Sequence, residues 1–359
     1  MAGNYQNVGT PRFWVSSLQW LDSLGMIVAN ANDTQLSGKN YKKLPYINPT
    51  EATNFQSSSA ANTGDFAINF DIIETFLVGE NPVNWSDIMP NDNSFFMLLG
   101  HNFTKSNGNN GIAFYTADSG VQQLAGGNYL NYSSTENKRA DYQGFSIGTA
   151  NDAHSNDYNR IRLYFSTYTI ANDKLFSSFL YGTFFNLQAP DLNLTLTREY
   201  GEVKTLQSKT GYTYSNSFIT KQPNWGNGLP AWHLALDNDI NQDGSLVFGE
   251  FSINGRRVWD LKFSYLDEQN IFSKVSSVTD YITGSSDNIA FLGGALLQEN
   301  TFYSQVLLRT QGLPFVFQPD SNNSNPDQFA ICMFDQNSFQ FKRTSLNTYD
   351  VSLKIREVW

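Results

Sequence analysis

Asp239, Asn241, Asp243, Ser245 and Glu250 are the residues of this 359-residue chain whose types and spacing point most directly to chemistry. They lie in the run DINQDGSLVFGE, which has the spacing of a twelve-residue calcium loop. Side-chain oxygens at the first, third and fifth positions can converge on a hard cation. Gly244 at the sixth makes the sharp turn, Ser245 follows it, and a bidentate Glu250 at the twelfth closes the shell. An EF-hand sets such a loop between two helices. Here Trp232, Leu234 and Leu236 before it, and Phe251 and Ile253 after it, alternate as strand residues do. Two readings stand: a structural calcium site in a loop between strands, or an Asn/Asp/Gly-rich hairpin turn with no ion. Neither attaches a nucleophile or a base to the motif.

The remaining reactive residues are sparse. His101 ends the apolar run FFMLL, His154 sits in the polar stretch NDAHSND, and His233 follows Trp232. They read as a turn or core residue, a solvated residue and a packing residue. A single cysteine, Cys332, excludes an intramolecular disulfide framework and a cysteine-based zinc cluster. The chain has no H-E-x-x-H and no phosphate-binding G-x-x-x-x-G-K-[ST]. Paired carboxylates for glycoside hydrolysis need only proximity in space, and the sequence singles out no pair. The expectation is a protein that is not an enzyme, with no catalytic residues.

Composition narrows the partners. With 33 acidic and 23 basic residues the net charge is −10, and no Lys/Arg cluster offers the basic surface that nucleic acid requires. Charged residues make up 16% of the chain, below the roughly 25% usual for soluble domains. Aromatics reach 15%, which argues for packed cores or contact surfaces rather than disorder. No apolar run is long enough for a membrane-spanning helix. The opening residues MAGNYQNVGTPRFW lack a basic stretch followed by an apolar one, so synthesis in a cytoplasm is expected.

The elements that must position these residues are mostly strands. Alternation places Ile68, Phe70 and Ile72 on one face, as it does Ile161, Leu163 and Phe165, then Leu192, Leu194 and Leu196. The same pattern groups Trp259, Leu261, Phe263 and Tyr265, and then Tyr349, Val351, Leu353 and Ile355. Period two over the whole length predicts antiparallel sheets with one solvated face. Two helices are predicted. A short one is capped by Ser16 or Ser17, carries Leu18, Leu21 and Leu24 on one face and stops at Gly25. The other, Glu299–Gln311, carries Phe302, Val306, Leu307 and Thr310 on one face, with Gly312 as its stop and Pro314 beyond. A break between halves is expected near Gln188–Asp191.

Two groups of residues resemble known families. GDFAINFDI, SFFMLLGHNF, RIRLYF and LFSSFLYGTFF are similar to the strand order of galactose-binding-like (discoidin-type) jelly rolls. PDLNLTLTREYGEVKTLQSKTGYTYSN, NGRRVWDLKFSYL, RTQGLPFVFQPD and the C-terminal FAICMFDQNSFQFKRTSLNTYDVSLKIREVW resemble tail structural proteins of marine bacteriophages, with a tail-tube or distal-tail β-sandwich. The resemblance implies a mainly β chain: an N-terminal segment 1–25, a jelly-roll β-sandwich over 26–187, and an antiparallel tail-type β-sandwich with one short helix over 188–359. It implies a virion component of the tail or baseplate that acts by forming homo-oligomers or by meeting other tail proteins, without nucleic acid or a membrane span. On that reading Trp259, Leu261 and Phe263 fill the core, and polar edges and the loops around Pro314–Asp320 meet adjacent subunits. The alternatives are a carbohydrate-binding module that contacts a host-surface glycan and, third, a polysaccharide hydrolase. Structural calcium at Asp239–Glu250 is the one cofactor the sequence suggests.

Overall fold

The computed structural model describes residues 7–31, 41–47, 53–54, 66–73, 85–89, 93–99, 111–116, 129–131, 141–142, 145–150, 160–165, 175–199, 203–217, 256–273, 296–297, 299–323 and 328–358. Among them the chain is mainly β, with twenty strands, β1 to β20 in chain order, and three short α-helices. All strand pairings are antiparallel. Eleven strands form one sheet, in the order β13 (Thr195–Glu199), β16 (Arg256–Asp267), β20 (Thr348–Glu357), β18 (Ala330–Phe334), β17 (Phe315–Gln318), β1 (Arg12–Ser16), β12 (Ser178–Asn186), β5 (Ser94–Leu99), β9 (Phe145–Ala150) and β8 (Asp141–Tyr142). The eleventh, β19 (Phe341–Ser345), forms a hairpin with β20. A second sheet runs β2 (Ile27–Ala31), β4 (Phe66–Ile72), β10 (Arg160–Phe165), β6 (Gly111–Thr116) and β7 (Tyr129–Asn131). Two strand pairs complete the set: β3 (Thr53–Asn54) with β11 (Leu175–Phe176), and β14 (Val203–Gln207) with β15 (Thr213–Ser217).

Alternation explains the outer part of the large sheet. In β16, Trp259, Leu261 and Phe263 are buried while Asp260 and Lys262 are exposed. In β20, Val351, Leu353 and Ile355 are buried, and Ser352 between them is exposed. In β4, Ile68, Phe70 and Ile72 are buried as expected. The opposite face is tied across strands, with Arg160 on Asp71 at 2.6 Å and the Arg162 Nε donating to Asn69 at 2.8 Å.

The middle of the sheet follows a different rule. All six residues of β5 are buried, as are Ser178–Thr183 of β12. Phe95, Met97, Leu99 and Leu180 belong to one hydrophobic cluster, together with Trp259, Phe315, Phe317 and Leu353. Phe96, Leu98, Phe179 and Tyr181 belong to another, with Leu18, Ile68, Phe70, Ile161 and Leu163. Successive strand residues point to opposite faces, so both faces of β5 and β12 are covered.

The first strand, β1, lies in the interior of the sheet between β12 and β17. Trp14 donates from its indole N–H to Gln318 Oε1 at 3.1 Å. Opposite Ser16, Gly182 lets the chain leave β1 and enter helix α1 (Ser17–Ser23) against β12. A Cβ at Gly182 would stand 2.0 Å from the Val15 carbonyl oxygen. Ser16 caps α1, its hydroxyl accepting from the Gln19 N–H at 3.1 Å. Leu18 and Leu21 are buried as predicted, whereas Leu24 lies at the C-cap and is 52% exposed.

The predicted helix over 299–311 is shorter and wound differently. Tyr303–Leu307 forms a π-turn closed by the Leu308 N–H on the Tyr303 carbonyl at 2.9 Å. Phe302, Val306, Leu307 and Thr310 are buried as the spacing requires, but so are Ser304 and Gln305. This segment is therefore a plug inside the core rather than a one-sided surface helix. Gly312, at φ 76°, ends it as predicted. The residues after Pro314 differ from expectation. Phe315–Gln318 is the fully buried strand β17, paired on both sides, rather than part of a loop.

Candidate interaction surface at the bulged end of strand 16

The alternating pattern of β16 breaks after Phe263. Phe263 pairs with Val351 and Leu266 with Tyr349, so β16 carries one extra residue across this interval. The bulge reverses the phase. Leu266 takes the inward position at 2% exposure, and Tyr265, expected inward, stands 72% exposed. Tyr265 adopts φ 57°, a conformation costly for a bulky L-residue, and its N–H donates to Asp350 Oδ1 at 3.0 Å.

Neighbouring elements converge on this end. The β19–β20 hairpin turns through Leu346 and Asn347, where Asn347 accepts φ 60° at little cost and Leu346 is 78% exposed. The Asn347 carbonyl accepts from the Glu268 N–H at 2.9 Å, tying the hairpin tip to helix α3 (Glu268–Ile271). Asp267 caps α3 by accepting from the Gln269 N–H at 3.0 Å. On the other side of β16, the connection from β12 to β13 is fastened by the Asp191 N–H on the Lys262 carbonyl at 2.7 Å. The Ser264 hydroxyl donates to Asp191 Oδ2 at 2.7 Å. Leu192, expected on the buried face, follows in a turn ahead of β13 and is fully exposed. Three large apolar side chains thus project from backbone fixed by hydrogen bonds. Lys342 and Arg343 on β19 and Asp267 beside α3 are exposed at the same end.

The charged groups inside the protein serve the fold. Arg257 and Glu357 pair at 3.3 Å with almost no exposure, and Glu357 Oε2 also accepts from the Arg257 backbone N–H at 2.8 Å. Burial raises the Glu357 carboxyl above its usual range against the opposing pull of Arg257. Cys332 is buried with its thiol pushed well up, first by burial and then by Glu357, which leaves it a packing residue rather than a nucleophile. On the outer face Arg356 reaches Glu199 at 2.5 Å and Asp335 at 2.9 Å, and Lys354 reaches Asp335 at 3.0 Å.

Asp239, Asn241, Asp243, Ser245 and Glu250 lie outside the described residues, as do His101, His154 and His233. Among the described residues no group of three or more His, Cys, Asp or Glu could hold a metal ion, and no helix is long and apolar enough to cross a membrane. Sequence reasoning missed Tyr265 and Leu346. Strict alternation assigns Tyr265 to the core, and only the pairing with β20 reveals the extra residue. No protein-family model, curated protein or solved structure matches the chain.

Proposed function

We propose that this protein is a structural component of a bacteriophage tail or baseplate that works by docking to copies of itself or to neighbouring tail proteins, and not by catalysis. The observation that carries the docking part is the bulged end of β16, where backbone in a costly conformation holds Tyr265 outward, with Leu346 exposed on the hairpin tip that is tied to helix α3. Bulges re-aim side chains, and tyrosine is enriched where proteins meet. A large apolar group held out on rigid backbone loses little conformational freedom on docking. The placement in a tail rests on the sequence resemblance of the second half.

Sedimentation velocity on the full chain tests this reading. A discrete oligomer is expected, and changing Tyr265 and Leu346 together to Asp weakens its association by about tenfold or more. A chain that stays monomeric at high concentration, or an oligomer indifferent to that double change, overturns it.

A further inference from the structure

Arg309 is almost wholly buried, and two of its three oxygen partners come from distant parts of the chain. Nη1 donates to the Ser17 hydroxyl at the start of α1, 292 residues earlier. Nη2 donates to the Ile88 carbonyl, at the end of helix α2 (Trp85–Ile88) and 221 residues earlier, and to the Leu297 carbonyl at 2.9 Å. The guanidinium carbon also lies 5.5 Å from the Trp20 ring centroid. Among the described residues the hydrogen-bond partners of Arg309 are hydroxyl and carbonyl oxygens and no carboxylate. Burial alone lowers its pKa, to about 9.

The segment that carries Arg309 is anchored to the large sheet. Thr183 of β12 donates to Gln305 Oε1 at 2.8 Å. The Gln305 amide donates to the Leu297 and Glu299 carbonyls at 2.8 and 2.7 Å, and Ser304 donates to the Leu296 carbonyl. Phe302 packs edge-on to Phe13 of β1, with ring centroids 5.6 Å apart. Phe302, Val306 and Leu307 lie in the first cluster, whereas Leu18 and Leu21 of α1 and Trp85 and Ile88 of α2 lie in the second. Helices of seven and four residues do not persist by themselves. The last carbonyls of α2 have no partner within the helix, and a cation at a helix C-terminus satisfies them.

We propose that Arg309 is a clasp between the two clusters: α1 and α2 keep their ordered positions only while segment 296–310 is seated and its guanidinium holds Ser17 and Ile88. Release of the clasp frees the two helices while β16 and β20 stay paired. Order in the early helices then depends on a part of the chain made more than two hundred residues later. This inference is independent of the docking surface.

Hydrogen exchange on the full-length protein tests it, with Arg309→Lys and Ser17→Ala compared with wild type. The clasp predicts that the Leu24 amide, bonded to α1 carbonyls, and the Met89 amide, bonded to Trp85, exchange about tenfold faster or more in Arg309→Lys. Amides of β16 and β20 stay within about twofold. Ser17→Ala removes one acceptor and accelerates Leu24 more than β16. It decides the matter should Arg309→Lys fail to fold. Unchanged exchange at Leu24 and Met89, or equal acceleration in every element, overturns the proposal.

Discussion

Strands β5 and β12 at the middle of the large sheet and strands β16 and β20 toward its edge bury their side chains differently. In β5 every side chain is buried, odd residues in one cluster and even residues in the other. In β20 buried Val351, Leu353 and Ile355 alternate with Ser352, Lys354 and Arg356, none of which is buried. The difference lies in what covers the sheet. Helices and the second sheet lie over one face of β5 and β12, so a run such as SFFMLL has no polar side to show. Along β20 one face meets solvent, so polar and charged residues alternate with the buried ones.

The largest effects test that contrast directly. In β5, Phe96→Ala and Met97→Ala fall on opposite faces, and each should cost about 3–5 and 2–5 kcal/mol respectively. In β20, Leu353→Ala should cost about 2–5 kcal/mol and Ser352→Ala less than about 0.5 kcal/mol. Urea midpoints at constant m-value measure all four. A near-neutral result for either β5 change means that one of its faces is not covered, and the contrast with β20 fails.

Gly182 is the next test, because it lets β1 and α1 approach the two-faced strand β12. A Cβ there meets the Val15 carbonyl at 2.0 Å and the Ser17 nitrogen at 2.6 Å. Gly182→Ala should cost about 1–3 kcal/mol, read as a fall in melting temperature. If the chains were further apart, the same change would raise stability by about 0.4–1 kcal/mol by restricting the unfolded chain. The sign of the shift decides.

Much of this architecture is legible in the residues. Alternation predicts the burial of Ile68, Phe70 and Ile72 in β4, of Trp259, Leu261 and Phe263 in β16 and of Val351, Leu353 and Ile355 in β20. Ser16 signals the start of α1, and Gly312 the end of the plug. Three features are not. FFMLL carries no period, so the pattern cannot tell one covered face from two. The π-turn needs the buried partners that satisfy Gln305 and Ser304: carbonyl acceptors from residues 296–299 and the Thr183 hydroxyl donor of β12. The bulge that expels Tyr265 is a property of the β16–β20 pairing, not of β16 alone. The interaction surface therefore becomes visible only with the register in hand, while the calcium-loop spacing, plain in the sequence, falls outside the described residues.

A smaller effect sharpens the contrast between buried and exposed faces within one strand. Glu357, the buried end of β20, has its carboxyl raised by burial, above the ordinary value of 4.5. The folded state holds that proton more tightly than the unfolded chain does. Its contribution to stability is complete below about 4.5 and is lost as pH rises through the folded value. Glu357→Gln keeps an oxygen for the Arg257 N–H groups. It should flatten the pH dependence of stability above 4.5. An unaltered slope would show that Glu357 does not titrate with folding.

A small effect is expected on the solvent face of the same strand, and its pH dependence has the opposite sign. Asp335 is held below its ordinary 3.8 by hydrogen bonds from Lys354 and Arg356. Its contribution is complete above that value and is lost as pH falls through the depressed one. Both Lys354 and Asp335 are more than a third exposed, so water and salt screen the pair. Lys354→Ala should cost less than about 1 kcal/mol at low salt, and the cost should shrink further in molar salt. Arg356 remains on Asp335 at 2.9 Å and on Glu199 at 2.5 Å, which leaves most of the network in place. Chemical denaturation at two salt concentrations and at pH 3 and 7 would separate the two carboxylates. A loss for Lys354→Ala as large as that for Leu353→Ala, insensitive to salt, would mean that this face of β20 is buried after all, and the distinction between one-faced and two-faced strands would have to be redrawn.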